Sequence, residues 1–263
     1  MIFIMGGHGF VGSAFARLFQ RRGVPFEIIT RGNYDTFKGR RCDILVNANG
    51  NSKKFLADRD PLADFAASVN SVAKSLHDFT FERYILCSTC DVYHDLSDPK
   101  LNHEDVDIQP HRLSRYGHHK YLAEQLVQRE ADNYLIIRFG GFVGEGLKKN
   151  PIYDILHGGP LWLDPDSELQ YIRTDTAAEA VWHFVEKGQS NEIVNVCGNG
   201  LVKLRDVMNH FGREVAVQEG SPQCVYQINI DKIQVCFPIP DSRDTVYEFV
   251  DRYDQSRADP LSL

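Results

Sequence analysis

The sequence predicts an α/β fold, a doubly wound parallel sheet carrying a small C-terminal cap. Three observations predict it. Short apolar segments alternate with amphipathic stretches of helical period through the first 143 residues, the pattern of parallel strands joined by crossover helices. Several of the apolar segments are near-continuous rather than alternating, as in Asp43-Ile44-Leu45-Val46-Asn47-Ala48, which suits strands covered on both faces. A glycine cluster, Gly6-Gly7-His8-Gly9-Phe10-Val11-Gly12, separates the first apolar run from the first amphipathic one.

Taken in order, residues 1–5 read as a strand, Phe10 to about Arg22 as a helix, and Phe26 to Thr30 as a second strand. Residues 43–48 form the next strand, and Asp60-Pro61 opens a long helix to about Phe79, since proline in the first turn is a start signal. Residues 83–88 read as a strand, 114–131 as a helix and 134–137 as a strand. Beyond residue 144, glycine and proline become frequent and the alternation loosens. A helix near 175–187, a strand at 193–196, and helices near 203–211 and 242–252 remain visible. Residues 1–143 are therefore expected to form the sheet core, with returning elements near 171–198, and 144–263 to form mainly a substrate-binding cap over the carboxyl edge. The closing stretch Asp254 to Pro260 reads as a loose tail.

The chain has 263 residues, with 29 Lys and Arg against 36 Asp and Glu, a formal charge of −7. That balance excludes a protein dependent on broad phosphate neutralisation, so no nucleic-acid partner is expected. No apolar run approaches the ~20 residues of a membrane span, and the start lacks the basic region and cleavage site of a signal peptide; a cytoplasmic enzyme is expected. Six cysteines are too sparse for a disulfide scaffold. Cys87-Ser88-Thr89-Cys90 is a CxxC, but it ends a strand instead of opening a helix and has no second pair, so neither redox nor metal chemistry is assigned to it.

The glycine cluster satisfies G-x-G-x-x-G from Gly7, directly after a strand and before a helix, the context the motif requires. Glycines lacking a Cβ let the backbone turn tightly and approach a pyrophosphate, whose charge then lies at a positive helix N-terminus. Gly6, Gly9, Phe10, Val11 and Gly12 are the candidate contacts. At the end of the second strand an acidic residue would bind a ribose 2′-hydroxyl, whereas an arginine pairs with a 2′-phosphate. Thr30-Arg31-Gly32-Asn33 has no carboxylate. NADP is favoured through Arg31 and Asn33, with NAD as the alternative.

Tyr116-Gly117-His118-His119-Lys120 sets a phenol and an ammonium on one helix face. A lysine beside a phenol favours the phenolate and is expected to lower its pKa, so that Tyr116 exchanges a proton near neutrality. With the upstream stretch Ser88-Thr89-Cys90-Asp91-Val92-Tyr93, this resembles the extended short-chain dehydrogenases/reductases of the NAD-dependent epimerase/dehydratase type. GGHGFVG resembles that family's GGxGFxG loop, Asn47-Ala48-Asn49 its cofactor-lining segment, and Val69-Asn70-Ser71-Val72 the place of a helical asparagine. The resemblance implies a Rossmann fold, Tyr116 as acid/base, Lys120 on the nicotinamide ribose, Thr89 on the reacting hydroxyl, and Asn49 near the cofactor. It also implies a homodimer through the 60–79 and Tyr116 helices, which the composition permits.

The departures bear on substrate. Dehydratases of the family carry Asp-Glu after the catalytic Thr, where this chain has Cys90-Asp91. Asp91 is a candidate second acid/base, but no acid stands where a leaving hydroxyl would be protonated, so dehydration is not expected. After the sixth strand of the family, Arg138-Phe139-Gly140 has glycine where an asparagine meets the substrate diphosphate, and Glu168 falls where an arginine clamps it. Arg173 or the pair Lys148-Lys149 are the substitutes on offer, or ordinary surface charges. Only eleven residues separate Arg31 from Asp43, too few for the family's second helix and third strand. His118 and His119 point in different directions and are expected to be packing or solvent residues, and Trp162, Tyr171 and Trp182 to be core. The expected function is an NAD(P)-dependent oxidoreductase or epimerase acting on a secondary alcohol or ketone of a sugar or sugar-like metabolite. The alternative is an inactive NAD(P)-binding sensor or scaffold.

Overall fold

In the computed structural model, which describes residues 1–258, six parallel strands form the sheet. They are β1 (Ile2–Met5), β2 (Phe26–Ile29), β3 (Arg41–Asn47), β4 (Thr80–Thr89), β5 (Tyr134–Phe139) and, returning late, the strand Glu192–Val196; the order is β2-β1-β3-β4-β5 and then that last strand. The switch in winding falls between β1 and β3, whose carboxyl ends diverge into loops on opposite sides, the place where open α/β sheets bind ligands. β1 is buried throughout, as a central strand covered on both faces must be.

β2 is the sheet edge. The segment after it holds only the short helix α2 (Tyr34–Phe37) before β3 begins, so the small gap between Arg31 and Asp43 leaves the sheet without a strand outside β2. α1 (Gly12–Arg22) follows β1 and ends on Gly23 in the left-handed conformation, φ +64°, which glycine adopts without penalty.

The helix expected over 60–79 runs without a break from Pro61 to Asp78, as α4 (Pro61–Phe65), a π-helical turn at Ala66–Asn70 and α5 (Ser71–Asp78), and a separate short helix, α3 (Lys54–Arg59), precedes it. Asp60 caps α4 by accepting from the Ala63 amide. The Ser71 hydroxyl donates to the Ala67 carbonyl at 2.5 Å, a side-chain bond of the kind that competes with the helical ladder and loosens the turn. Asn70 ends that turn exposed to solvent.

α6 (Arg115–Glu130) carries the Tyr116 and Lys120 pair and starts at Ser114, whose hydroxyl accepts from the Gly117 amide. After β5 come β6 (Gly141–Val143), α7 (Pro151–His157), β7 (Glu168–Leu169), β8 (Tyr171–Arg173) and α8 (Thr174–Glu186), then β9, the returning strand Glu192–Val196. β10 (Val202–Lys203), α9 (Leu204–Phe211), α10 (Asp231–Gln234) and α11 (Ser242–Ala258) complete the chain. α11 continues through residues expected to be tail, because no helix breaker occurs before Pro260; residues 259–263 lie outside the described part.

Apolar cores form on both faces of the sheet, and a third cluster unites α7, α9 and α11 around Ile152, Ile155, Val207 and Val246. Tyr171 is buried in that third cluster, and Trp182 packs edge-on against Phe19 at 5.0 Å. Trp162 departs from expectation: it lies on the surface, 65% exposed. Among the described residues, no helix is long and apolar enough to cross a membrane.

Candidate active site

The glycine loop follows directly from the meeting of β1 and β3. A Cβ on Gly6, at φ +74°, would stand 2.7 Å from the Ala48 carbonyl oxygen, and one on Gly12 would stand 2.2 Å from the Gly6 oxygen. Both approaches are impossible with a side chain, so the tight packing of loop, helix and strand end requires glycine there. The Gly9 amide closes the turn on the Gly6 carbonyl at 2.8 Å. Val11 precedes α1 with no side-chain cap, and the first turn has no acidic residue. The Ser13 and Ala14 amides bond the Gly9 and Val11 carbonyls at 2.9 and 3.1 Å, so the loop amides ahead of them, with no side chain capping the turn, are the donors that an anion would meet.

Of the residues expected at the β2 end, Arg31 is exposed, while Asn33 has its side chain committed to the loop itself. Its amide nitrogen donates to the Ile28 carbonyl at 2.9 Å and its oxygen accepts from the Thr30 amide at 2.7 Å. Asn33 thus shapes the loop that presents Arg31. Asn47 is fully buried and ties β3 to Tyr84, accepting in turn from the Asn49 amide at 3.0 Å. That bond sets the chain path through Asn49 and Gly50 beside the glycine turn.

The same path touches the lysine. A Cβ on Gly50 would lie 2.9 Å from Lys120 Nζ and 3.9 Å from the Ser68 hydroxyl, whose oxygen is buried without a partner among the described residues. The loop after β3 therefore joins the glycine turn to the α6 pair. Lys120 is 9% exposed, and burial pulls its ammonium below the ordinary lysine value, against the opposing pull of Cys87, Asp64, Glu124 and Asp91. Its Nζ lies 5.9 Å from the centre of the Tyr116 ring.

Tyr116 is buried too, and its phenol is held well above the ordinary tyrosine value. That is opposite to the direction expected from Lys120 alone. Burial is the main cause, the Asp91 charge adds to it, and Lys54 and a hydrogen bond with Thr89 partly offset it. Thr89 ends β4, and its hydroxyl donates to Asp91 Oδ2 at 2.9 Å while accepting from the Asp91 amide at 3.2 Å. The approach of α6 to this turn depends on Gly117, where a Cβ would lie 2.1 Å from the Asp91 carbonyl oxygen.

Two groups at the site carry no sequence signal of their own. Lys54 Nζ donates to Asp91 Oδ1 at 2.6 Å and to the Tyr226 hydroxyl at 3.3 Å. Asp64, fully buried on α4, faces His119 Nδ1 at 2.6 Å and accepts from Asn51 at 2.7 Å. His119 is thus a buried polar partner, whereas His118 is only half-buried.

Behind Thr89 lies an enclosed ionic network. Arg138, 2% exposed, makes a forked bond to fully buried Glu124, with Nη2 to Oε2 at 2.7 Å, and reaches the Tyr93 hydroxyl at 2.9 Å. Ser88 donates to the same Glu124, and Tyr93 donates to Asn195 at 2.9 Å. Cys90 has Cys197 as its sulfur neighbour at 3.6 Å, not Cys87, and burial holds its thiol well above the ordinary value.

In the loop that runs on from Gly50 to Lys54, the Ser52 carbonyl accepts from Lys149. Desolvation, then Lys53 and Lys54, pull its ammonium down to about 8. Arg173 has one terminal guanidinium nitrogen buried without a partner among the described residues. Glu168 remains in β7, its backbone paired to Cys224 and Tyr226.

Residues 2–197 match the family described as "NAD dependent epimerase/dehydratase family". No curated protein matches the sequence. Among solved structures, the chain is similar to MoeE5 in complex with UDP-glucose and NAD, at 15% identity over 99% of each chain with a TM-score of 0.82. It is similar to UDP-glucuronic acid 4-epimerase from Bacillus cereus in complex with UDP-glucuronic acid and NAD, at 16% identity over 97% of this chain and 99% of that one, TM-score 0.75. RMD from Pseudomonas aeruginosa complexed with NADPH gives 16% identity over 97% and 99%, TM-score 0.76. At such identities these likenesses establish the Rossmann-type fold.

Proposed function

Because the chain belongs to the NAD-dependent epimerase/dehydratase family, we propose that it oxidises and reduces a secondary carbinol carbon of a nucleotide sugar, with Tyr116 as the acid/base. The observation that carries the reading is the joining of Thr89, Tyr116 and Lys120 to the glycine turn through Asn49 and Gly50. The cradle fits a dinucleotide: glycines at Gly6 and Gly12 that no side chain could replace, a first turn of α1 without a side-chain cap or acidic residue, and a buried Ser68 hydroxyl near Lys120 with no partner among the described residues. Gly6, Gly9, Phe10, Val11 and Gly12 would hold its pyrophosphate, and Lys120 and Tyr116 its nicotinamide end. We assign NADP as the preferred form on Arg31, with no carboxylate at the β2 end. The solved relatives carry NAD or NADPH.

When bound, the nicotinamide supplies the hydride acceptor and donor. The chain's own residues handle the proton. Tyr116 Oη takes the hydroxyl proton on oxidation and returns it on reduction, Thr89 holds the reacting oxygen, and the charge of Lys120 favours the phenolate. No acid accompanies Asp91 in the turn after β4, and this supports epimerisation or reduction over dehydration. The cationic cluster supports an anionic substrate. An anion beside Lys149 would offset both the desolvation and the repulsion from Lys53 and Lys54 that lower its ammonium, and Arg173 Nη1 is a buried donor with no partner among the described residues. The exposed Leu62 and Phe65 of α4, at 82% and 41%, support a homodimer across this helix layer.

A panel of UDP-sugars, each with NAD and NADP, tests the reading. The wild-type protein should convert at least one of them, and Tyr116→Phe should keep cofactor affinity while losing about 10²–10⁴-fold in turnover. Full turnover by Tyr116→Phe would place the acid/base elsewhere, and no conversion by the wild type would remove nucleotide sugars as the substrate class.

A further inference from the structure

Three parts of the fold converge on Asp91. The turn after β4 supplies Asp91 itself, α3 supplies Lys54, and the segment before α10 supplies Tyr226. Lys54 joins them, with Nζ 2.6 Å from Asp91 Oδ1, 3.3 Å from the Tyr226 hydroxyl, and 5.1 Å from the centre of the Tyr226 ring. The other carboxylate oxygen of Asp91 accepts from Thr89. We propose that Lys54 is a positioning residue of the catalytic centre, which fixes Asp91 against Thr89 and offsets the Asp91 charge at the Tyr116 phenol. The proposal rests on Tyr116 being the group that exchanges the proton.

A carboxylate beside a buried phenol opposes its ionisation, and Asp91 cannot be removed from the turn without freeing Thr89. The charged groups around the phenol are Asp91 from the turn, Lys54 from α3, Asp64 from α4, and Lys120 one helical turn along α6. Asp64 is engaged by His119 and Asn51. Lys120 Nζ lies 5.9 Å from the ring centre, against Gly50, and among the described residues it is Lys54, not Lys120, that pairs with Asp91. Lys54 is thus the cation that shares Asp91 with Thr89. Burial works against the charge of Lys54, but Asp91 and Tyr226 outweigh it and keep the group an ammonium. An aligned pair of opposite charges lets Asp91 orient the Thr89 hydroxyl without imposing its full charge on Tyr116. The same Lys54 ammonium also bonds the Tyr226 hydroxyl of the segment before α10.

The phenol itself can be read without turnover. Biosynthetic replacement of tyrosine by 3,5-difluorotyrosine, a more acidic phenol, brings the titration into a range where the protein is folded, and ¹⁹F NMR follows each ring. The Tyr116 resonance is the one missing in Tyr116→Phe. Lys54→Gln should raise the Tyr116 midpoint by about one pH unit, Lys54→Arg should restore it, and Asp91→Asn should lower it. A midpoint unmoved or lowered by Lys54→Gln would reduce Lys54 to a structural pin, as would failure of Asp91→Asn to lower it. The measurement needs neither cofactor nor substrate. A protein that bound no nicotinamide dinucleotide would overturn the proposed function and leave this titration standing.

Discussion

At residue scale, the heaviest demands fall on side chains that never meet a substrate. Glu124 and Arg138 are enclosed and satisfied on every side by each other, Ser88 and Tyr93. Removing one partner leaves an uncompensated buried charge, so Glu124→Ala should cost about 3–5 kcal/mol of folding stability, read as a lowered urea midpoint. An unchanged midpoint would mean that Arg138 finds solvent or another partner. The direction of the Tyr116 shift was not legible from the sequence, for the same kind of reason. The spacing Tyr116 to Lys120 sets two groups on one helix face, but it does not say how deeply the ring is buried or that Asp91 faces it. Lys54 was hidden in Asn51-Ser52-Lys53-Lys54, which reads as a polar loop, and only the fold brings that loop against the turn after β4. The Tyr116 and Lys120 pair was legible on one helix face from its spacing, whereas Thr89 was singled out only by the resemblance to the family; the fold brings Thr89 to Tyr116 and Lys120 to the same ring.

At the scale of elements, close approach decides more than propensity. Gly117 sits inside α6, where glycine weakens a helix, and its place is explained by the Asp91 carbonyl that occupies the space of a side chain. Gly117→Ala should push the turn carrying Thr89 and Asp91 away from Tyr116. The expected result is cofactor affinity close to wild type with turnover lowered at least tenfold; turnover at the wild-type level would show that the turn yields without disturbing Thr89. The strands and their order were legible because parallel strands buried on both faces have a strong apolar signature. The π-helical turn at Ala66–Asn70 was not, since the helix runs straight through it and the local Ser71-to-Ala67 side-chain bond beside it leaves no mark in the pattern of residues. The short span after Arg31 did announce the loss of a strand, and the sheet accordingly ends at β2.

For the whole molecule, the net charge of −7 conceals a local cationic cluster, in which Lys53 and Lys54 lie close enough to Lys149 to help lower its ammonium. Composition excluded broad phosphate binding but said nothing of a local anion site, because charge is summed along the chain and felt in space. The glycine turn, the Tyr116–Lys120 pair joined to it through Gly50, and the lysine cluster that follows in the same loop suit the proposed pairing of a dinucleotide with an anionic substrate. The most direct measurement is the identity and affinity of the bound nucleotide: release of any nucleotide carried through purification, with equilibrium titrations of NADP and NAD against the wild type and Gly12→Val. The account predicts one nicotinamide dinucleotide per chain, tighter binding of NADP than of NAD, and loss of both in Gly12→Val, whose side chain would fill the space of the Gly6 carbonyl. Binding of neither form by the wild-type protein would contradict the account at its foundation.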